Sequence, residues 1–127
     1  MDTTGLDHLV LTVEDIDATC DFYEDVLDAE VVTFGEGRTA LQFGDQKVNL
    51  HPAGDEYDPR ADRPTPGSGD FCLLTETPIE TVETELREAG VDVVEGPVPK
   101  TGAVGSLASV YLRDPDGNLV EVAEYQE

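Results

Sequence analysis

One order of elements runs through this chain twice: strand, helix, then three strands, within about 55 residues each time. A doubled βαβββ order admits few architectures, because each copy must bury one face of a short sheet under one helix. The first strand covers residues 6–13, with Leu9, Leu11 and Val13 on one face and His8, Val10 and Thr12 on the other. Asp15 is placed to cap a helix running to about Leu27, whose buried stripe is Ile16, Cys20, Tyr23 and Leu27. Strands over 29–34, 39–43 and 47–51 follow, separated by Gly35-Glu36-Gly37 and Gly44-Asp45-Gln46 turns. In the last of them Val48 and Leu50 point one way, and Lys47, Asn49 and His51 the other.

Residues 52–69 form a loop rich in Pro, Gly and Asp, of a length that usually marks a lid or a linker between modules. The pattern then restarts with a strand over 70–75. Thr77 is the expected N-cap, with Pro78 at the first helical position, Ile79, Val82, Leu86 and Ala89 as the apolar stripe, and Gly90 as the stop. A strand over 91–95 and a loop over 97–106 carrying Lys100 precede a closing hairpin. The expected organisation is a single α+β domain with module one over 1–55, a linker over 56–67 and module two over 68–127. Laying residues 6–12 on 69–75 brings His8 beside Asp70.

The closing hairpin is the most informative stretch. Asp114-Pro115-Asp116-Gly117 is a turn with a mechanism: Pro fixes φ and donates nothing to a sheet, and Gly tolerates the positive φ of a tight reversal. Strands over 107–112 and 119–123 flank it. Alternation puts Val120 and Val122 on one face and plants Glu121 on the other, between Leu119 and Ala123. A carboxylate in that position has a partner, a metal or a cavity, or else sits on an edge facing water.

Charge narrows the function. With 29 acidic and 7 basic residues the chain carries −22, which excludes a nucleic-acid-binding face and opposes binding to anionic membranes. Apolar content of 39% is that of a folded domain, so the acidity reads as a solvated surface suited to a salt-rich cytoplasm, the halophile pattern. No leader sequence or 18-residue apolar run is evident, and the expectation is a cytoplasmic, soluble protein. Cys20 and Cys72 read as two reduced, packed thiols; with no CxxC or Cys/His cluster there is no structural zinc site.

The doubled element order, the early-strand His8, His51 closing the fourth strand and the Asp-Pro-Asp-Gly-Asn-Leu-Val-Glu hairpin together resemble the vicinal oxygen chelate superfamily. That group includes glyoxalase I, extradiol dioxygenases and fosfomycin- and bleomycin-resistance proteins. The segments Phe43-Gly44-Asp45-Gln46-Lys47-Val48-Asn49-Leu50-His51 and Glu95-Gly96-Pro97-Val98-Pro99-Lys100-Thr101-Gly102 are similar to small glyoxalase domain-containing proteins of the type numbered 5. The resemblance implies a curved mixed sheet around a cleft holding one divalent metal (Zn, Ni, Co, Mn or Fe), with His8, His51 and Glu121 as ligands. Asp70 is the candidate fourth ligand, and Cys72 lies one pleat further on.

The resemblance also implies a homodimer, with His8 and His51 of one site coming either from one chain or from two, and a small-molecule substrate with vicinal oxygens. Glu121 is then both ligand and candidate catalytic base, and Lys47, Asn49, Cys72, Lys100, Tyr111 and Arg113 are candidate pocket residues. Glyoxalase-like isomerisation or lysis of an α-dicarbonyl or thiol adduct is the first expectation. Extradiol cleavage usually adds an acid/base His, and this chain has no third histidine. Thiol transfer of the fosfomycin-resistance type needs a basic pocket, for which Lys47, Lys100 and Arg113 are candidates. A metal-free binding protein needs an aromatic-lined cleft, and the chain has no Trp, four Phe and four Tyr.

Overall fold

The computed structural model describes all 127 residues as two compact units, Met1–Gly67 and Ser68–Glu127. In the first unit β1 (His8–Val13), α1 (Ile16–Leu27), β2 (Glu30–Phe34), β3 (Arg38–Phe43) and β4 (Gln46–Pro52) build a sheet of order β1-β4-β3-β2. Only the β1–β4 pair is parallel. The second unit repeats this with β5 (Asp70–Leu74), α2 (Ile79–Glu88), β6 (Glu95–Thr101), β7 (Ser106–Arg113) and β8 (Leu119–Tyr125), in the order β5-β8-β7-β6. Each is a four-stranded mixed sheet with one helix, so the expected doubled α+β order is what the chain forms. No helix is long and apolar enough to cross a membrane.

Alternation decides which face each helix covers. In unit 1, Leu11, Val13, Leu41, Val48 and Leu50 are buried on the face that meets α1, whose Tyr23 is fully enclosed and meets Phe43 edge-on at 6.3 Å between ring centroids. In unit 2, Val110, Leu112, Val120 and Val122 pack with Ile79, Val82 and Leu86 of α2. Each such side chain contributes about 1.5–3 kcal/mol of apolar burial. The α1 stripe centres on Thr19 and Tyr23, so Cys20 sits at its edge, half-buried, rather than at its middle as expected. Burial, then the charges of Asp17, Asp21 and Glu24, raise its thiol pKa and keep it unreactive.

The helix ends follow local chemistry in three cases and long-range chemistry in one. Asp15 caps α1, accepting from the Ala18 N–H at 2.9 Å, and Asp28 closes it at φ 55°. Gly90 at φ 77° ends α2, with Gly90 N–H donating to Arg87 O and Val91 N–H to Leu86 O, the paired bonds of a Schellman motif. Thr77 is not the cap of α2. Pro78 occupies that place, and the Ile79 N–H donates instead to the Glu124 carboxylate on β8 at 3.2 Å. A partner 45 residues away is invisible to a local capping rule.

The second strand of unit 2 also departs from expectation. Residues 91–94 are not a strand; β6 runs through the stretch expected as loop, across Pro97 and Pro99. It is the outer strand of its sheet, where a missing N–H costs no ladder bond on the open side. Its pairing slips between Glu95 and Val98, and Gly96 sits in that irregularity at φ 110°. A Cβ there would lie 2.4 Å from Ser109 O. Gly96→Ala is therefore expected to destabilise the chain by about 3 kcal/mol or more, from backbone strain plus overlap. Chemical denaturation checks this; a loss below about 1 kcal/mol would show that β6 moves away freely.

The Asp-Pro-Asp-Gly-Asn turn is held from inside. Asp114 and Asn118 are buried, and the Asp114 carboxylate accepts from Asp116 N–H, Asn118 N–H and Asn118 Nδ2 at 2.8–3.0 Å. Asn118 Oδ1 in turn accepts from Gly69 N–H at 2.7 Å, and Leu119 N–H donates to Gly69 O at 2.9 Å. The turn thereby fixes where β5 begins, and Asp70 is the residue that follows.

Candidate functional site

The uncovered face of the second sheet carries the carboxylate singled out by alternation. Glu121 pairs with Cys72 on β5 and with Tyr111 on β7, and Ser109 stands diagonally across. Ser109 Oγ, fully buried, donates to Glu121 Oε2 at 2.7 Å, and the Tyr111 hydroxyl is also hydrogen-bonded to Glu121. Two donors fix the carboxylate and leave it lone pairs for a further partner. Burial, then the charge and hydrogen bond of Glu121, push the Tyr111 hydroxyl up to about 12, so it stays a donor. Burial, then Glu121, push the Cys72 thiol up to about 11, which makes a thiolate nucleophile unfavourable there.

Asp70 shares this face. It pairs with Leu119, so it stands one pleat from Glu121 on the adjacent strand, a diagonal separation of about 7–8 Å that a metal or small ligand can bridge. Lys100 Nζ lies 5.5 Å from the Tyr111 ring centre and 4.0 Å from Glu95. Arg113 donates to Gly117 O at 3.3 Å and latches the turn. A recess of about 590 Å³ opens elsewhere in this unit, between Leu74, Thr75, Glu76, Glu124 and Tyr125, and includes none of the candidate ligands.

The uncovered face of the first sheet carries His8, Lys47, Asn49 and His51. His8 Nδ1 lies 2.8 Å from Asp7 Oδ1, a carboxylate partner of the kind that orients a metal-binding imidazole. Asn49 has its Oδ1 buried without a hydrogen-bond partner. His51 is buried and meets Tyr57 edge-on at 5.2 Å; burial, then the nearby Arg38 charge, lower its pKa and keep the ring neutral. The Arg38 guanidinium lies 4.4 Å from the Tyr57 ring centre, and Lys47 Nζ lies 3.5 Å from that of Phe34.

Strand register separates the two histidines within one chain. His8 pairs with Lys47, and His51 with Thr12, so the two histidines are four residues out of step on adjacent strands. That is about 13 Å along the strands, too far for the two histidines of one chain to reach the same ion at about 2.1 Å. In unit 2 Asp70 pairs with Leu119 and Glu121 comes two residues later; in unit 1 His8 pairs with Lys47 and Asn49 comes two residues later. Asn49 therefore takes the place of Glu121 in the first unit, and His51 takes the place of Ala123. Nor do any three His, Cys, Asp or Glu side chains of one chain come together in a group able to hold a metal. Sequence reasoning missed Ser109, although its position two residues before Tyr111 puts it on the Glu121 face, and it missed Arg38 and Tyr57 altogether.

The family model of the Glyoxalase/Bleomycin resistance protein/Dioxygenase superfamily matches residues 5–122. The chain belongs to this superfamily. Within it, the virulence protein STM3117 of Salmonella typhimurium is 56% identical over 120 residues, covering 94% of this chain and 83% of that protein. The STM3117 crystal structure superposes with a TM-score of 0.97 at 54% identity, covering 99% of this chain and all of that one. The glyoxalase domain-containing protein RDO1 of Mycosarcoma maydis is 52% identical over 123 residues, 97% of this chain and 69% of its own length. A more distant superfamily member, the metallothiol transferase FosB of Shouchella clausii, is 29% identical and covers 93% of this chain and 78% of that one.

Proposed function

We propose that the chain is a metal-dependent enzyme of the glyoxalase type, a lyase or isomerase acting on an α-dicarbonyl or thiol-adduct substrate. The observation that carries this reading is Glu121, fixed by Ser109 and Tyr111 on an uncovered sheet face and one pleat from Asp70. The proposed ligands are His8, Asp70 and Glu121, with Asn49 at the fourth position. Imidazole, carboxylate and amide oxygen together suit a first-row divalent ion. The Asp7 contact on His8 and the unpartnered Asn49 Oδ1 fit that role. This reading leaves His51 outside the set, because the register holds it about 13 Å from His8 of the same chain.

When bound, such an ion supplies Lewis acidity to a pair of substrate oxygens. The chain's own contribution is a carboxylate beside the reacting carbons. Glu121 is held for proton transfer by two donors, Asp70 is within reach of the same space, and Tyr111 stays protonated as a hydrogen-bond donor. The metallothiol transferase relative supports a second reading, metal-dependent thiol transfer to an anionic substrate, because Lys47 and Lys100 also stand on the uncovered faces.

A site shared between two copies of the chain is the arrangement that the family resemblance implies. In a two-fold dimer of that kind, His8→Ala and Glu121→Ala chains are each expected to lose the ion. Co-expressed, they regain about a quarter of wild-type metal occupancy, because half of random pairs carry one intact site of two. Metal analysis of the mixed protein checks this. No recovery in isolated mixed dimers would place the whole site within one chain.

A further inference from the structure

We infer that the uncovered face of the first sheet is a receptor for a small organic anion, its acidic group held by Arg38 and Lys47 and its apolar body lying against Phe34 and Tyr57. As a statement about substrate class this rests on the enzyme reading above; as a binding site it rests on the geometry of unit 1 alone.

The seven cations of the chain find partners of different kinds. Arg60 meets Glu56 and Asp58, Arg63 meets Asp62, Arg87 meets Glu83, and Lys100 meets Glu95, all within 4.0 Å. Arg113 latches a turn carbonyl. Arg38 and Lys47 alone are left with aromatic faces for partners, in a chain with 29 carboxylates. Both are half-buried. A cation over a ring is oriented and partly desolvated, but its charge is not cancelled.

Register gathers these groups on one face. Lys47 pairs with Gln42, Asn49 with Ala40, and Phe34 with Arg38, so Arg38, Lys47, Asn49 and Phe34 all point to the side away from α1. Phe34 links the two cations, opposite Arg38 in the ladder and beneath the Lys47 ammonium. The strand residues of this face include one carboxylate, Glu30, which pairs with Gln42 and makes no ion pair with either cation. Glu56, near His51, is already engaged by the Gly54 N–H and Arg60. Two cations without carboxylate partners thus stand together on one face of a chain of −22, where a small anion can complete them. The planar fork of Arg38 suits a carboxylate or a phosphonate equally.

The test uses the full chain freed of metal with a chelator, at fixed ionic strength. Its probes are phenylphosphonate, benzoate and the neutral benzyl alcohol, followed by calorimetry and by the ring signals of His51. Saturable binding of at least one anion, at least about tenfold tighter than benzyl alcohol, is expected, and the tighter anion identifies the acidic group. Arg38→Met and Lys47→Met are each expected to weaken it about 10- to 100-fold with the thermal midpoint retained, while Arg63→Met leaves it unchanged. If Arg38→Met loosens Tyr57 and unfolds the chain, Lys47→Met carries the test. Anions binding no better than benzyl alcohol, or equally well to the folded variants, would overturn the inference. Because no metal is present, anion binding in a protein that later fails to take up metal would refute the enzyme reading and leave this site standing.

Discussion

Glu121→Gln is expected to weaken divalent-metal binding by at least about 100-fold while leaving the chain folded. The substitution keeps the shape of the side chain and one acceptor oxygen, but removes the negative charge that a divalent ion favours. Ser109→Ala probes the same carboxylate from behind. It removes the 2.7 Å bond without touching the ion, and loss of such an orienting partner typically costs about 10- to 100-fold in affinity. The charge change has a second readout. Tyr111 is held up to about 12 first by burial and then by Glu121, so Glu121→Gln should let its hydroxyl titrate at lower pH, visible by ultraviolet titration. Metal binding unaffected by Glu121→Gln would remove the carboxylate from the site.

Asp114→Ala is expected to cost about 3–5 kcal/mol, the largest stability loss among single substitutions in the closing hairpin. The carboxylate is buried and accepts from two backbone N–H groups and the Asn118 amide. Alanine leaves those donors enclosed, and bonds to a charged acceptor are worth about 1.5–3 kcal/mol each before any relaxation. The damage should spread toward the site, because Asn118 holds Gly69 and Gly69 sets the start of β5, hence Asp70. The thermal midpoint is expected to fall by about 10 °C or more. Asp114→Asn, which keeps the volume but sets an amide N–H against Asn118 Nδ2, should fall between the two. A midpoint within about 2 °C of wild type for Asp114→Ala would mean that Pro115 and Gly117 alone specify the turn.

The parts of this molecule that sequence made legible are those governed by near neighbours along the chain. Asp15 caps its helix, Gly90 ends the other, and alternation correctly put Glu121 opposite Val120 and Val122. What stayed hidden depends on partners far away in sequence. Thr77 is displaced as a cap by Glu124, and Pro97 and Pro99 are admitted to a strand only because that strand is outermost. His51 shows the same limit at the site. Period-2 alternation gives the face a side chain occupies, and His51 does share a face with His8. It gives no position along the neighbouring strand, and the β1–β4 register sets the two rings four residues apart.

Metal analysis of four chains separates these ligand sets: wild type, His8→Gln, Asp70→Asn and His51→Gln, each purified in high salt and equilibrated with limiting divalent metal. One ion per chain in wild type and in His51→Gln, with loss in His8→Gln and Asp70→Asn, is the predicted result. An ion lost in His51→Gln but kept in Asp70→Asn would contradict the register-based ligand set. No uptake by wild type would contradict the metal-dependent reading itself.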